Sequence, residues 1–406
     1  MKVQYSKPLI DEDVVNEVND IFTNTGWLTS GPKVKELESE LCKLTTAPAV
    51  ACVNSWVSGA MLILRWFGVG PGDEVIIPSY TYSATALAVM NIGAVPVMVD
   101  VREDFNIDVS KIEEKITAKT KVIIPVDLGG WPCDYNEIMH LVKLPSVVQQ
   151  FVPASERQQR LGRILVLTDA AHSIGAVYSG RPAAVATDFA VFSFHSVKNI
   201  TTGEGGAICI NLPVPFNNED EFKFIKFFGL NGETKSAYEK NQSGSWRYDI
   251  IDQGMKVNMP DICAAVGLSQ VRRYLDDLLP ERKKLYDQYN QLLGQYEWAI
   301  LPPFDTVEKT SSYHLYMLRI KGFTEAQRDN MISLIAEKEV AVNVHYIPMP
   351  MLTLFKNCGY KMEDYPVTYQ NYSNEITLPL YNRLSTQEVT FVVSAVVNAY
   401  NTLMQS

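Results

Sequence analysis

The sequence predicts an α/β protein, in which a mostly parallel sheet covered by helices is followed by a smaller α+β unit. Three observations predict it. Short continuous runs of Val, Ile and Leu recur through the first half of the chain. Stretches with apolar residues at helical spacing separate those runs. From about residue 301 onward, strand-like runs mix with helices. Continuous apolar strands separated by helices indicate a parallel sheet buried on both faces.

The elements follow in order. Val34–Leu44 (VKELESELCKL) has helical spacing after a Ser30-Gly31-Pro32 turn. Ser58–Phe67 reads as a second helix, closed by Gly68. Gly70-Pro71-Gly72-Asp73 is a turn, and Glu74–Pro78 is a short buried strand. A helix is expected over Ser83–Ile92, and strands over Val95–Val99, Val122–Val126 and Ile164–Thr168. Lys143–Arg163 is polar and irregular and reads as a surface insertion. Asn211–Asn218 and Asn231–Arg247 read as loops. Helical patterning resumes at Asp261–Leu279. In the last third, strands are expected at Leu315–Ile320 and Ala341–His345, and helices at Glu325–Lys338 and Gln387–Met404.

Composition narrows the function classes. A chain of 406 residues predicts two or three domains, and it buries a sizeable core without staples. The net charge of −10 argues against nucleic acid, whose phosphates need a basic footprint. The first residues, MKVQYSKPLIDEDV, lack the apolar stretch of a signal peptide, and no run of about 18 apolar residues predicts a membrane span. The six cysteines are scattered, without a CxxC pair, so neither a zinc site nor a disulfide framework is indicated. A cytoplasmic setting is expected. The histidines show no HExxH spacing, and no metal is expected. Gly26–Lys33 lacks the Lys-Ser/Thr that a P-loop needs directly after its glycine.

Four segments carry chemistry. In Phe192–Gly206, Lys198 lies among apolar and small residues before a glycine-rich turn. A desolvated lysine amine can form an imine with an aldehyde; an arbitrary lysine is more often solvated. Asp169 ends the ILVLT run, where open parallel sheets bind ligands. It could keep a pyridine nitrogen protonated, or cap a helix. Asn54–Ala60 runs from a strand into a helix whose first N–H groups could bind phosphate, with Ser55 equally a plain cap. Pro78–Thr85 places Tyr82 where it could stack on a flat ring or simply fill the core.

Together these segments resemble the DegT/DnrJ/EryC1/StrS sugar aminotransferases. The likeness spans nearly the whole chain, including Thr29–Pro32, Asn258–Gln270, Tyr313–Tyr316 and Pro379–Ser385. The resemblance implies pyridoxal 5'-phosphate (PLP), fold type I with a seven-stranded sheet, a large PLP-binding domain over 1–255 and a small C-terminal domain over 256–406. It implies Lys198 as the Schiff-base lysine and proton carrier, and Asp169 as partner of the ring nitrogen. Tyr82 and His172 would flank the ring. Ser55, Ser193 and the amides of Trp56 and Val57 would hold the phosphate. Asn258 and Lys256 would reach the neighbouring subunit's cofactor, which makes a homodimer necessary. His314 and Tyr316 would lie at the sugar. The implied reaction moves an amino group from L-glutamate to a nucleotide-linked keto-deoxy sugar in glycan biosynthesis, the UDP-linked 4-keto-6-deoxy-N-acetylhexosamine being the expected acceptor. A 3-dehydratase would have histidine in place of Lys198, and a regulatory relative would lose Lys198 or Asp169. The chain departs from the pattern at Val57, where many relatives have threonine, at Asp127, where many have histidine, and in the long Lys143–Arg163 stretch.

Overall fold

Seven strands form the main sheet of the chain, described over residues 1–405 by a computed structural model. They are β1 (Ala49–Val53), β2 (Glu74–Pro78), β3 (Val95–Val99), β4 (Thr120–Ile123), β5 (Leu165–Asp169), β6 (Phe189–Ser193) and β7 (Gly206–Ile210). Their spatial order is β1-β7-β6-β5-β4-β2-β3. The sheet is parallel except that β7 runs antiparallel to both its neighbours. β4 ends earlier than the apolar run suggested. Pro125 has no N–H for a ladder, and Val126 keeps only one bridge, to Asp169.

The unbroken apolar runs have a direct cause. Val50 and Cys52 of β1 face one cluster, with Leu37 and Leu41 of helix α1 (Pro32–Thr45). Ala49, Ala51 and Val53 face the other, with Ala60 and Ile63 of α2 (Trp56–Trp66). Successive side chains point to opposite faces, and both faces are covered. α3 (Ala84–Asn91) follows β2 and packs on the second of these faces. The start of α1 is held from far along the chain. The Asp261 carboxylate accepts the N–H groups of Gly31 (2.7 Å), Lys33 (3.1 Å) and Val34 (3.1 Å), which otherwise lack partners at a helix start.

A second core lies in the last third. α5 (Leu279–Leu293), α6 (Glu325–Ala336) and α7 (Thr386–Gln405) pack around a sheet of β8 (Ala299–Ile300), β9 (Tyr316–Ile320) and β10 (Glu375–Leu378). α4 (Asp261–Arg272) is not part of it. Ala264, Leu268 and Val271 of α4 pack with α1, β1, β6 and β7. We propose that the division between the two units falls after α4 rather than at 255/256. Val3 crosses back, joining the second core and bridging to Val340.

Two expectations need correction. Lys143–Arg163 is not a simple surface insertion. It contains helices Pro145–Gln150 and Glu156–Leu161, and Val147, Phe151 and Gln158 are buried. Gln158 is satisfied there, donating to the Phe67 carbonyl (3.0 Å) and accepting from Ala154 N–H (2.8 Å). Ala341–His345 is not a strand; Asn343 alone bridges to Thr377. Among the described residues, no helix is long and apolar enough to cross a membrane.

Arg163 closes the insertion with a buried two-pronged pair to Asp188, at 2.8 and 2.7 Å. Arg163→Met leaves the Asp188 charge buried and unpaired. Urea denaturation is expected to show a loss of about 3–5 kcal/mol; an unchanged midpoint would mean that the pair does not secure this layer.

Candidate active site

Asp169 is the last residue of β5, and its register partner on β6 is Val191. Ser193 ends β6 two residues later. Two parallel strands therefore deliver a carboxylate and a hydroxyl to the same edge. The Asp169 carboxylate is buried. It accepts from Thr85 Oγ1 (2.9 Å) and from Ala171 N–H (3.1 Å), the latter within a turn rather than a helix. Burial raises its pKa, against the pull of those hydrogen bonds and of the Lys198 ammonium. Lys198 follows β6 in a turn closed by its own N–H to the His195 carbonyl (2.9 Å). Burial lowers its pKa, and the Asp169 charge works the other way. The result is a buried acid that wants a cationic partner and an amine that gives up its proton more easily than a surface lysine.

The start of α2 lies beside them. Ser55 caps it, accepting from Ser58 N–H (3.1 Å) and donating to Ser58 Oγ (2.9 Å). The plain capping role expected of Ser55 is therefore present. Trp56 and Val57 are the first two helical residues, whose N–H groups have no carbonyl one turn earlier. Gly206, opposite Ser193, brings this start against the sheet. A Cβ on Gly206 would lie 2.6 Å from the Phe192 carbonyl oxygen and 3.0 Å from Trp56 N. Any larger residue would push the helix start away from Ser193.

Above the carboxylate stands a group of rings. His172 is buried, and its ring lies 4.3 Å from that of His314. Gly129 N–H donates to His172 Nδ1 (3.2 Å), and Tyr346 Oη lies 3.2 Å from Nε2. His314 Nδ1 meets Asn199 Oδ1 at 2.7 Å. Burial holds both histidines well below their ordinary pKa, so both rings are neutral. Tyr82 is 60% exposed and therefore does not fill the core; its ring stands 5.6 Å from that of Tyr346.

The other expected residues are placed differently. Tyr316 is not at this edge. It is fully buried in the second core, against Tyr286 and Tyr289, with its hydroxyl on Asn290 (2.9 Å). Strand alternation sends Met317 to the cluster that Tyr346 packs against and Tyr316 into the helices. Lys256 is exposed, and Asn258 donates to Ser30 Oγ (2.6 Å). A cavity of about 610 Å³ includes Ser30 and Asn258 but none of Asp169, His172 or Lys198. Thr85, Asn199 and Tyr346 belong to the group, although no role was read for them in the sequence. Thr85 and Asn199 stand in the motifs of Tyr82 and Lys198; nothing local marks Tyr346.

These residues fit PLP. The buried carboxylate lacks the cation that a protonated pyridine would supply. The close approach that Gly206 permits brings a helix start against the strand residue opposite Ser193, which suits a phosphate.

Comparison with known proteins agrees. The profile of the DegT/DnrJ/EryC1/StrS aminotransferase family matches residues 8–149 and 153–397. The spore coat polysaccharide biosynthesis protein SpsC of Bacillus subtilis is 34% identical over 397 residues, covering 97% of this chain and 95% of that one. The UDP-4-amino-4-deoxy-L-arabinose–oxoglutarate aminotransferase of Shewanella sediminis is 31% identical over 412 residues, 96% of each chain. A structure described as a sugar aminotransferase of Streptococcus pneumoniae superposes in its PMP form with a TM-score of 0.94 at 40% identity, covering 99% of this chain and 100% of that one. Its PLP form gives 0.93 at 39% identity, with the same coverage.

Burial of Asp169 predicts a pH effect on the cofactor-free protein. The folded chain keeps a proton that the unfolded chain releases, so stability falls as pH rises above the ordinary carboxylate range. Cofactor-free Asp169→Asn is therefore expected to melt higher than wild type at pH 8 and to lose that part of the slope. Equal melting temperatures at pH 8 would refute a strained carboxylate.

Proposed function

The chain belongs to the DegT/DnrJ/EryC1/StrS aminotransferase family and is a PLP-dependent sugar aminotransferase, and from that premise we propose that it transfers an amino group from L-glutamate to a nucleotide-linked 4-keto-6-deoxy sugar. The observation that carries the reading is the placement of buried Asp169 at the end of β5 with half-buried Lys198 just after β6, near enough for the charge of each to act on the other. The oxoglutarate in the Shewanella relative's name supports glutamate as donor, and its UDP-sugar supports a nucleotide-linked acceptor.

Bound PLP supplies an aldehyde that condenses with amines and a ring that takes up negative charge. Lys198 Nζ would hold the cofactor through its aldehyde and, when free, would carry the proton that leaves the donor's Cα. Asp169 would face the ring nitrogen and favour its protonated form. Thr85 keeps that carboxylate aimed. Tyr82 and His172 would flank the ring. Ser193 and the amides of Trp56 and Val57 bind the phosphate, with Ser55 fixing the helix start. His314 lies toward the sugar. The donor leaves as 2-oxoglutarate, oxidised at its Cα, and the sugar carbonyl is reduced to an amine by the reverse sequence.

Lys256 and Asn258 serve the partner subunit's cofactor in a homodimer. The strongly exposed Trp246, Tyr248 and Ile251, which precede Lys256 in the chain, support a covered surface. The free cysteines support a reducing, cytoplasmic setting.

Lys198→Ala is expected to purify without the near-visible absorbance of bound PLP and without borohydride-reducible cofactor; reducible PLP in that variant would move the anchor elsewhere. Asp169→Asn is expected to bind PLP and transaminate about 100-fold or more slowly. Wild-type turnover would remove the electron-sink role. Mixing the pyridoxamine form with nucleotide ketosugars identifies the acceptor by return of the PLP spectrum, and failure of every 4-ketosugar would exclude the proposed substrate class.

A further inference from the structure

Tyr346 is the part of the ring group that the reaction described so far does not use. It lies in a segment without regular structure, 341–348. Its surroundings determine where its proton points. Gly129 N–H occupies His172 Nδ1, and the ring is neutral, so the ring proton sits on Nε2. That N–H donates to Tyr346 Oη at 3.2 Å. The phenol proton of Tyr346 is then left to point elsewhere. The rings of Tyr82 (5.6 Å) and His172 (6.4 Å) are its neighbours.

Such a segment holds one geometry only if its neighbours fix it. They do so through residue 345. His345 N–H donates to Glu375 Oε2 (3.0 Å), and His345 Nδ1 meets Thr377 Oγ1 at 2.9 Å. Thr377 Oγ1 donates in turn to Glu375 Oε1. Asn343 and Thr377 exchange backbone hydrogen bonds at 3.1 and 2.7 Å. Tyr5 stacks on the His345 ring at 5.5 Å and donates to it from its hydroxyl (3.3 Å). His345, Glu375 and Thr377 are all buried. Tyr5 is carried there by the N-terminal segment, where Val3 N–H bonds Glu339 O and Ala341 N–H bonds Val3 O, each at 3.0 Å.

We propose that Tyr346 is a hydrogen-bond donor to an oxygen of the cofactor or of the substrate, and that Tyr5, His345, Thr377 and Glu375 are positioning residues that present it. The proposal rests on the aminotransferase reading above. The acceptor chemistry is one, an oxygen lone pair, and the two sources separate experimentally. A cofactor oxygen predicts a shifted absorption maximum of bound PLP. A substrate oxygen predicts an unshifted spectrum and a raised KM.

The test uses the PLP-loaded enzyme with Tyr346→Phe, Thr377→Val and Thr377→Ser. For each, the melting temperature, the absorption maximum, the PLP affinity of the stripped protein, and kcat and KM for the glutamate half-reaction and for ketosugar amination are measured. Tyr346→Phe and Thr377→Val are expected to give the same signature, either a shifted PLP spectrum or a change in kcat/KM of about tenfold or more. Thr377→Ser, which keeps the hydroxyl, is expected to restore it. An unchanged spectrum, kcat and KM in Tyr346→Phe would overturn the donor role. A Thr377→Val enzyme that only melts lower, with wild-type spectrum and kcat/KM, would overturn the positioning role. If Thr377→Val does not fold, Tyr5→Phe replaces it and is expected to show the same signature in weaker form; its absence there would equally overturn the positioning role. Wild-type protein without borohydride-reducible PLP on Lys198 would instead overturn the aminotransferase reading itself, whatever the variants do.

Discussion

A carboxylate held out of water at the end of β5 is the constraint on which the rest of the site depends. Asp169 has two hydrogen-bond donors, neither charged, and its one cationic neighbour is an amine whose own charge burial disfavours. Left alone, this pair strains the fold. The proposed cofactor would bring a positive ring nitrogen to the acid and an aldehyde to the amine. The same burial thus prepares both ends of the cofactor site, and the fold accepts a local instability to do it.

The phosphate end depends on backbone approach rather than on charge. The reversed direction of β7 lets Gly206 face Ser193 and meet the first residues of α2. Within one subunit, the helix start supplies aligned N–H groups without a lysine or arginine. This explains how a chain of net charge −10 can hold a phosphate. It also explains why Val57 can stand where many relatives have threonine: the backbone N–H is independent of the side chain.

The two units of the chain meet across the rings. Gly129 and His172 come from the large unit, His314 and Tyr346 from the segments of the smaller one. The first residues of the chain tie the second core down through Val3 and Tyr5. The geometry around His172 therefore reflects contacts from three separate stretches of sequence. Neutral histidines suit this arrangement, because each ring then offers one donor and one acceptor in a defined order.

Local pattern determined much of this protein by itself. Continuous apolar runs named the parallel sheet and helical spacing named the helices; Asp169, Ser55, Tyr82 and Lys198 stood out because each lies at a strand-to-turn or strand-to-helix junction, while Ser193 came only from the family resemblance. Contacts between distant residues were not legible. Gln158 and Arg163 read as surface because polar side chains usually are; their partners, the Phe67 carbonyl and Asp188, lie 91 and 25 residues away. Tyr316 sat in a motif, but the face on which a strand residue falls depends on what covers the sheet. Tyr346 reaches His172 across 174 residues, from a segment whose shape comes from Glu375 and Thr377. Periodicity records which side of an element is apolar. It carries no record of which remote polar group will meet it, and only the tertiary structure decided that.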